Sequence, residues 1–142
     1  MKIPEQPRTE SERGAVAAQI SREIVQLHAK MYGRGPTKAK TYVHDDYILC
    51  MLEDIFTPAE RTLVGADKVE QVLSARHAFQ EAVAEDFTAI VVGATGRQVR
   101  AVMSQVSVDP ELAAELFLME PVPGEEEEEI AGGNHGAISD GD

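Results

Sequence analysis

Met31-Tyr32-Gly33-Arg34-Gly35-Pro36 ends one pattern and begins another. Upstream, Val16, Ile20, Ile24, Leu27 and Met31 recur at spacings of four, four, three and four, one apolar stripe of an amphipathic helix. Arg13, Gln19, Arg22, Glu23, Gln26 and Lys30 fill the other face. Thr9 followed by Glu12 is the sequence form of a capping box. Gly33 is a natural stop, because it takes a left-handed conformation without a Cβ clash. Pro36 forbids the helix to resume and disfavours helical geometry at Gly35.

Downstream the period changes to that of a hairpin. Strands are predicted over about Lys38 to His44 and Tyr47 to Phe56, turning at Asp45-Asp46. Thr57-Pro58-Ala59-Glu60 then supplies an N-cap hydroxyl, a proline at the first helical position and a glutamate at the third. The short helix it starts ends near Gly65. A long helix is predicted from about Asp67 to Val92, with a stripe of Val69, Val72, Leu73, Phe79, Val83, Phe87, Ile90 and Val91. Arg76 lies on or beside that stripe, and Gly93 or Gly96 ends it. Strands over Gln98 to Val106 and Leu112 to Met119 follow, joined through Asp109-Pro110.

The chain thus reads as helix and hairpin used twice, with a Gly-Arg step at both joints, Gly33-Arg34 and Gly96-Arg97. The predicted fold is α+β: a four-stranded antiparallel sheet with two long helices on one face. Tyr47-Ile48-Leu49-Cys50-Met51-Leu52 and Leu116-Phe117-Leu118-Met119 are apolar at consecutive positions, so those strands should be covered on both faces. Helices on one side cover one face only. A second copy on the open face, making a homodimer, is the simplest cover.

Residues 1–8 carry two prolines and no pattern, and are expected to form a loose arm. Residues 9–120 form the single domain. Residues 121–142 read as a disordered acidic tail, with too little apolar surface to offset the entropy of ordering. The formal charge is −12, and seven acids with no Lys or Arg lie after Gly124. The rest of the chain has 18 acids against 13 bases, a net of −5. Such a balance disfavours nucleic acid and anionic lipid as partners. No apolar run approaches the roughly 18 residues of a membrane span. The first residues lack the apolar region of a signal peptide. Cys50, the one cysteine, has no internal disulfide partner. These features fit a cytosolic protein.

Candidate chemistry is sparse. Gly33-Arg34-Gly35-Pro36 reads either as an anion site, with Arg34 and loop N–H groups as donors, or as a helix stop and turn. Arg76 in an apolar stripe must be paired. It holds either a carboxylate of its own chain (Glu53, Asp54 or Glu60) or a ligand anion, and Arg97 could join it. His44-Asp45-Asp46 has ligand types but poor spacing for a metal. No metal site, cofactor or catalytic constellation emerges.

Gly33-Arg34-Gly35-Pro36, Thr57-Pro58-Ala59-Glu60-Arg61-Thr62-Leu63, Arg76 on a long helix, Thr95-Gly96-Arg97-Gln98-Val99 and Glu115-Leu116-Phe117-Leu118-Met119-Glu120 come in an order and spacing that resembles the MpsC-type family. These are small bacterial domains named for a sodium-translocating, membrane-potential-generating system. The resemblance covers about Thr9 to Glu120, and the acidic tail departs from it. It implies a soluble accessory or regulatory partner of a membrane sodium-translocating or inorganic-carbon uptake system. Such a protein would be cytoplasmic and peripheral at the inner membrane face, with no established reaction. Gly33, Arg34, Gly35, Pro36, Thr57, Glu60, Arg76 and Gly96 are the positions that carry over. The other reading is a dimeric module that binds a small anion through Arg34, Arg76 and Arg97.

Overall fold

The computed structural model describes residues 9–122. The expected arm (1–8) and all but the start of the expected tail lie outside them. The elements are α1 (Glu10–Tyr32), β1 (Lys38–Val43), β2 (Tyr47–Glu53), α2 (Pro58–Gly65), α3 (Val69–Ala82), α4 (Ala84–Thr95), β3 (Val99–Ser107) and β4 (Leu112–Met119). Both capping boxes form. Thr9 accepts from the Glu12 N–H while Glu12 accepts from the Thr9 N–H, and Thr57 and Glu60 do the same. Gly33 at φ 84° and Gly96 at φ 75° close α1 and α4 in the left-handed region, as residues without a Cβ can.

The strands make one antiparallel sheet in the order β1-β2-β4-β3. The two hairpins lie side by side, and β2 pairs with β4 through Tyr47–Leu118, Leu49–Leu116 and Met51–Ala114. The two strands with consecutive apolar residues are therefore the central ones. One face of them is fully covered. Ile48, Cys50 and Leu52 on β2, with Ala113, Phe117 and Met119 on β4, pack against Ile20 and Ile24 of α1, Val72 of α3, and Phe87 and Val91 of α4. On the opposite face Leu49, Met51, Leu116 and Leu118 are half-buried, beside exposed Tyr42, Tyr47 and Met103.

Three local expectations change. The long helix kinks at Val83, which separates α3 from α4 at φ −109° and ψ 11°. The Val83 N–H still reaches the Phe79 carbonyl, and the Phe87 N–H reaches Val83, each at 3.0 Å. The four-residue period therefore passes through the joint, and the sequence pattern carries no mark of it. Phe79 lies outside the core, 46% exposed, with its ring edge-on to Tyr32 at 5.3 Å. Finally, β2 stops at Glu53, because Asp54 adopts φ 61°. Ile55 and Phe56 are buried from the loop that follows.

Candidate functional site: a buried arginine network and a lone carboxyl group

Arg76 comes from the sheet-facing side of α3 and is 3% exposed. Its Nε and Nη2 donate to the two Glu60 carboxylate oxygens at 2.8 and 2.6 Å. Nη2 also donates to the Ile55 carbonyl at 2.6 Å. Of the three own-chain carboxylates considered from sequence, Glu60 is the partner. The fork-on-fork geometry fits a guanidinium and a carboxylate in two parallel bonds. The Arg76 Cζ lies over the Tyr32 ring, 3.9 Å from its centre, and 5.4 Å from the centre of the Phe56 ring. Burial alone would raise the Glu60 pKa. The bonds from Arg76 and the Thr57 N–H outweigh it, so the carboxylate is held below its ordinary range.

The third nitrogen of Arg76, Nη1, lies 3.1 Å from His28 Nε2. A guanidinium only donates. His28 Nε2 therefore accepts, and the imidazole is neutral with its proton on Nδ1. That proton points to the Arg34 carbonyl, 3.3 Å away. Burial, and then the Arg76 charge, push the His28 pKa down to about 4. His28 follows Ile20 and Ile24 at spacings of four, so its place on the buried side of α1 was readable. It is not among the candidate residues read from the sequence.

Through His28 the network reaches the Gly33-Arg34-Gly35-Pro36 loop. Arg34 Nη1 donates to the Asp54 and Phe56 carbonyls at 2.8 and 2.9 Å, and Nη2 to the Asp54 carboxylate at 3.0 Å. Asp54 also meets Arg61, which bridges to Glu111 at 3.0 Å. The bond from Arg61, then that from Arg34, hold the Asp54 pKa below its ordinary range, against partial desolvation. A Cβ on Gly35 would stand 3.2 Å from Val25 Cγ1, a tight contact that Val25 would have to relieve by a few tenths of an ångström. Pro36 is buried.

The structure thus joins Arg34, Thr57, Glu60 and Arg76 in one connected corner. It does not bring Arg97 there. Arg97, 4% exposed, donates to the Asp45 carbonyl at 2.8 Å and the Glu120 carbonyl at 2.9 Å. It ties the β1–β2 turn to the end of β4. Its Nε is buried without a hydrogen-bond partner. The two Gly-Arg joints therefore build separate places.

Glu115, on β4, was missed from the sequence. Its alternation with Ala113, Phe117 and Met119 puts it on the covered face, and that was the available signal. It is 3% exposed, and its carboxyl accepts from the Ser104 hydroxyl across the β3–β4 pair. Burial pushes its pKa up to about 7, against the opposing pull of Ser104 and Arg76. A cavity of about 10 Å³ touches Glu115, Arg76, His28 and Tyr32, room for about one water. The arrangement can store a proton. The Cys50 thiol is buried, and burial pushes its pKa up to about 11.

Among the described residues no group of three or more His, Cys, Asp or Glu could hold a metal ion. None of the described helices is long and apolar enough to cross a membrane. Comparison with curated proteins and with solved structures finds no match. A family model does match, over residues 12–121, from the first turn of α1 to just beyond β4. Its description is the Na+-translocating membrane potential-generating system (MpsC). The matched span takes in the arginine corner, Arg97 and the whole sheet, and the chain belongs to the MpsC family.

Proposed function

We propose that this protein is a non-catalytic accessory component of a sodium-translocating or inorganic-carbon uptake system, and that it docks through the open face of its sheet. The observation that carries the reading is the apolar character of that face. Leu49 and Leu116 are paired neighbours, with Tyr47 opposite Leu118 and Met103 opposite Leu116. The whole face, four strands about 4.8 Å apart and about seven residues long, is roughly 400 Å² in projection, and Lys38, Lys40, Glu53, Gln105 and Ser107 occupy part of it. The apolar part is the strip formed by Tyr42, Tyr47, Leu49, Met51, Met103, Leu116 and Leu118, and contiguous exposed apolar strips can mark interaction sites. The association with an ion-translocating membrane system comes from the family description. The cytoplasmic, membrane-peripheral location belongs to the same proposal.

The face has two roles in this reading. Two copies meet there in the resting homodimer, and the membrane partner displaces one of them. The arginine corner is a clamp that keeps the Gly33–Pro36 loop, α2 and α3 in register beneath the sheet. The alternative, a dimer that binds a small anion through Arg34, Arg76 and Arg97, is less favoured. All three guanidiniums donate to acceptors of their own chain.

The test is capture of the tagged protein from gently solubilised membranes, beside Leu116→Glu. We expect an integral membrane subunit of an ion or inorganic-carbon transporter with the wild type and none with the variant, whose far-ultraviolet spectrum is unchanged. Sedimentation at micromolar concentration should show a dimer for the wild type alone. A monomeric wild type that captures no membrane protein would sink both roles.

A further inference from the structure

Glu115 sits in the middle of a row that crosses the sheet. Cys50 on β2 and Ser104 on β3 are its paired neighbours, and all three lie on the helix-covered face. Among the described residues its one hydrogen-bond partner is the Ser104 hydroxyl. The small cavity beside it is bordered on the helix side by Gln80 and Val83, at the joint of α3 and α4. Outside that joint, between the helices and β3, lies an open slot of about 310 Å³. Gln80 borders both spaces. The Ser104–Glu115 pair does the same, with Ser104 on the slot and Glu115 on the cavity. The wall between the buried acid and the slot is therefore one side chain thick. It stands where the helices are least fixed, since α4 starts at Val83 without the side-chain cap that α1 and α2 have.

Ionised Glu115 needs more than this cavity offers. A carboxylate has about four acceptor sites. Ser104 fills one, and about 10 Å³ admits about one water. A carboxylate so poorly solvated in a dry place is costly. The elements packed around it bring neutral His28 and Tyr32 from α1, Glu60 from α2, Arg76 from α3 and Cys50 from β2. From α4 comes Phe87, while Glu85 and Asp86 are exposed. Arg76 is the cation among them, and it is engaged with Glu60, His28 and the Ile55 carbonyl. His77 and Glu81 lie 3.4 Å apart at the outer slot.

We propose that the α3–α4 joint is a gate worked by the Glu115 proton: it is shut over the neutral acid, and loss of the proton parts Gln80 and Val83 from β3 and lets water from the slot reach the carboxylate. The proton passes to solvent, and no bond other than O–H breaks. Burial pushes the Glu115 pKa up to about 7. His28 is pushed down to about 4 and Cys50 up to about 11, Tyr32 is raised above 10.0, and Glu60 is held below 4.5. Glu115 is thus the buried group here whose charge changes between pH 6 and pH 8. The gate does not depend on the docking face: Glu115 lies on the covered side of β4, and the test uses purified protein without membranes.

The experiment follows amide hydrogen exchange of the full chain at pH 6 and pH 8, each rate divided by its intrinsic value. A carboxyl that returns from about 7 to 4.5 on opening raises the opening equilibrium about ten-fold over that range. We expect that rise at residues 80–87 in the wild type and none in Glu115→Gln. His77→Gln, which removes the imidazole at the outer slot, should keep it. Low urea should leave these rates nearly unchanged while the central amides of β2 and β4 respond, because a local opening exposes little surface. In the wild type alone, the Glu115 side-chain carboxyl resonance and the opening should share one midpoint, so the test holds even where the variant does not fold. The proposal is overturned if residues 80–87 show no rise, if Glu115→Gln keeps it or if His77→Gln abolishes it. It is also overturned if the two midpoints differ, or if these amides respond to urea as steeply as the core.

Discussion

Glu115→Gln should stabilise this protein in alkaline solution and leave it nearly unchanged in mild acid. The carboxyl is buried between the helices and β4, with Ser104 as its hydrogen-bond donor, and its pKa rises from 4.5 to about 7. A folded-state pKa above the unfolded value means that folding favours the protonated form. The stability tied to that proton is fully present below pH 4.5 and is lost as pH rises through about 7. A displacement of about 2.5 units corresponds to about 3 kcal/mol once the group is fully ionised. Glutamine has the same shape, can still accept from Ser104, and never ionises. Urea titrations followed by circular dichroism, at steps from pH 5 to pH 9, would read the difference. We expect the variant to gain about 2–3 kcal/mol over wild type at pH 8.5, or on the order of 10 °C in Tm for a domain of this size. The gain should shrink below 1 kcal/mol by pH 5. Equal or lower stability of the variant at pH 8.5 would refute the idea that Glu115 is ionised at a cost inside the fold.

His28 should impose the opposite slope. Its pKa falls from 6.5 to about 4, so its contribution is present above pH 6.5 and is lost as pH falls through about 4. Proton uptake by the imidazole should begin only near pH 4 when followed by its ring-carbon resonances, and titration near 6.5 would mean that Arg76 does not donate to it. Arg76→Met should cost about 3–5 kcal/mol in urea denaturation, because it leaves Glu60 with no counter-ion in a largely buried place. Arg76→Lys should retain part of that, as it keeps the charge and loses the two-pronged contact.

Much of the backbone was legible in short stretches. Thr9 with Glu12, Thr57-Pro58 with Glu60, and glycine at positions 33 and 96 mark helix ends through bonds and clashes that span at most four residues. The strands were legible from alternation, and the extra apolar positions in β2 and β4 set those two apart, but only the strand order showed that they are the central pair. The break at Val83 was not legible, because the hydrogen bonds that produce the four-residue period run across it. The end of β2 was missed as well. Asp54 turns left-handed there with its side chain held by Arg34 and Arg61, and Arg34 is 20 residues away.

The site divides in the same way. The residue types alone required that a buried Arg76 find an acceptor, since an unpaired buried charge is too costly. Which acceptor it found depended on α2 folding back on α3, across 16 residues of chain. His28, 48 residues from Arg76, became a neutral acceptor only because α1 lies against that pair. Glu115 illustrates the limit most plainly. Alternation placed it on one face of β4, and only the helices packed over that face made it a carboxyl group that ionises near pH 7. Caps, turns and periodicity are settled by neighbours in the chain, whereas charge state and pairing depend on which distant elements exclude water from one another.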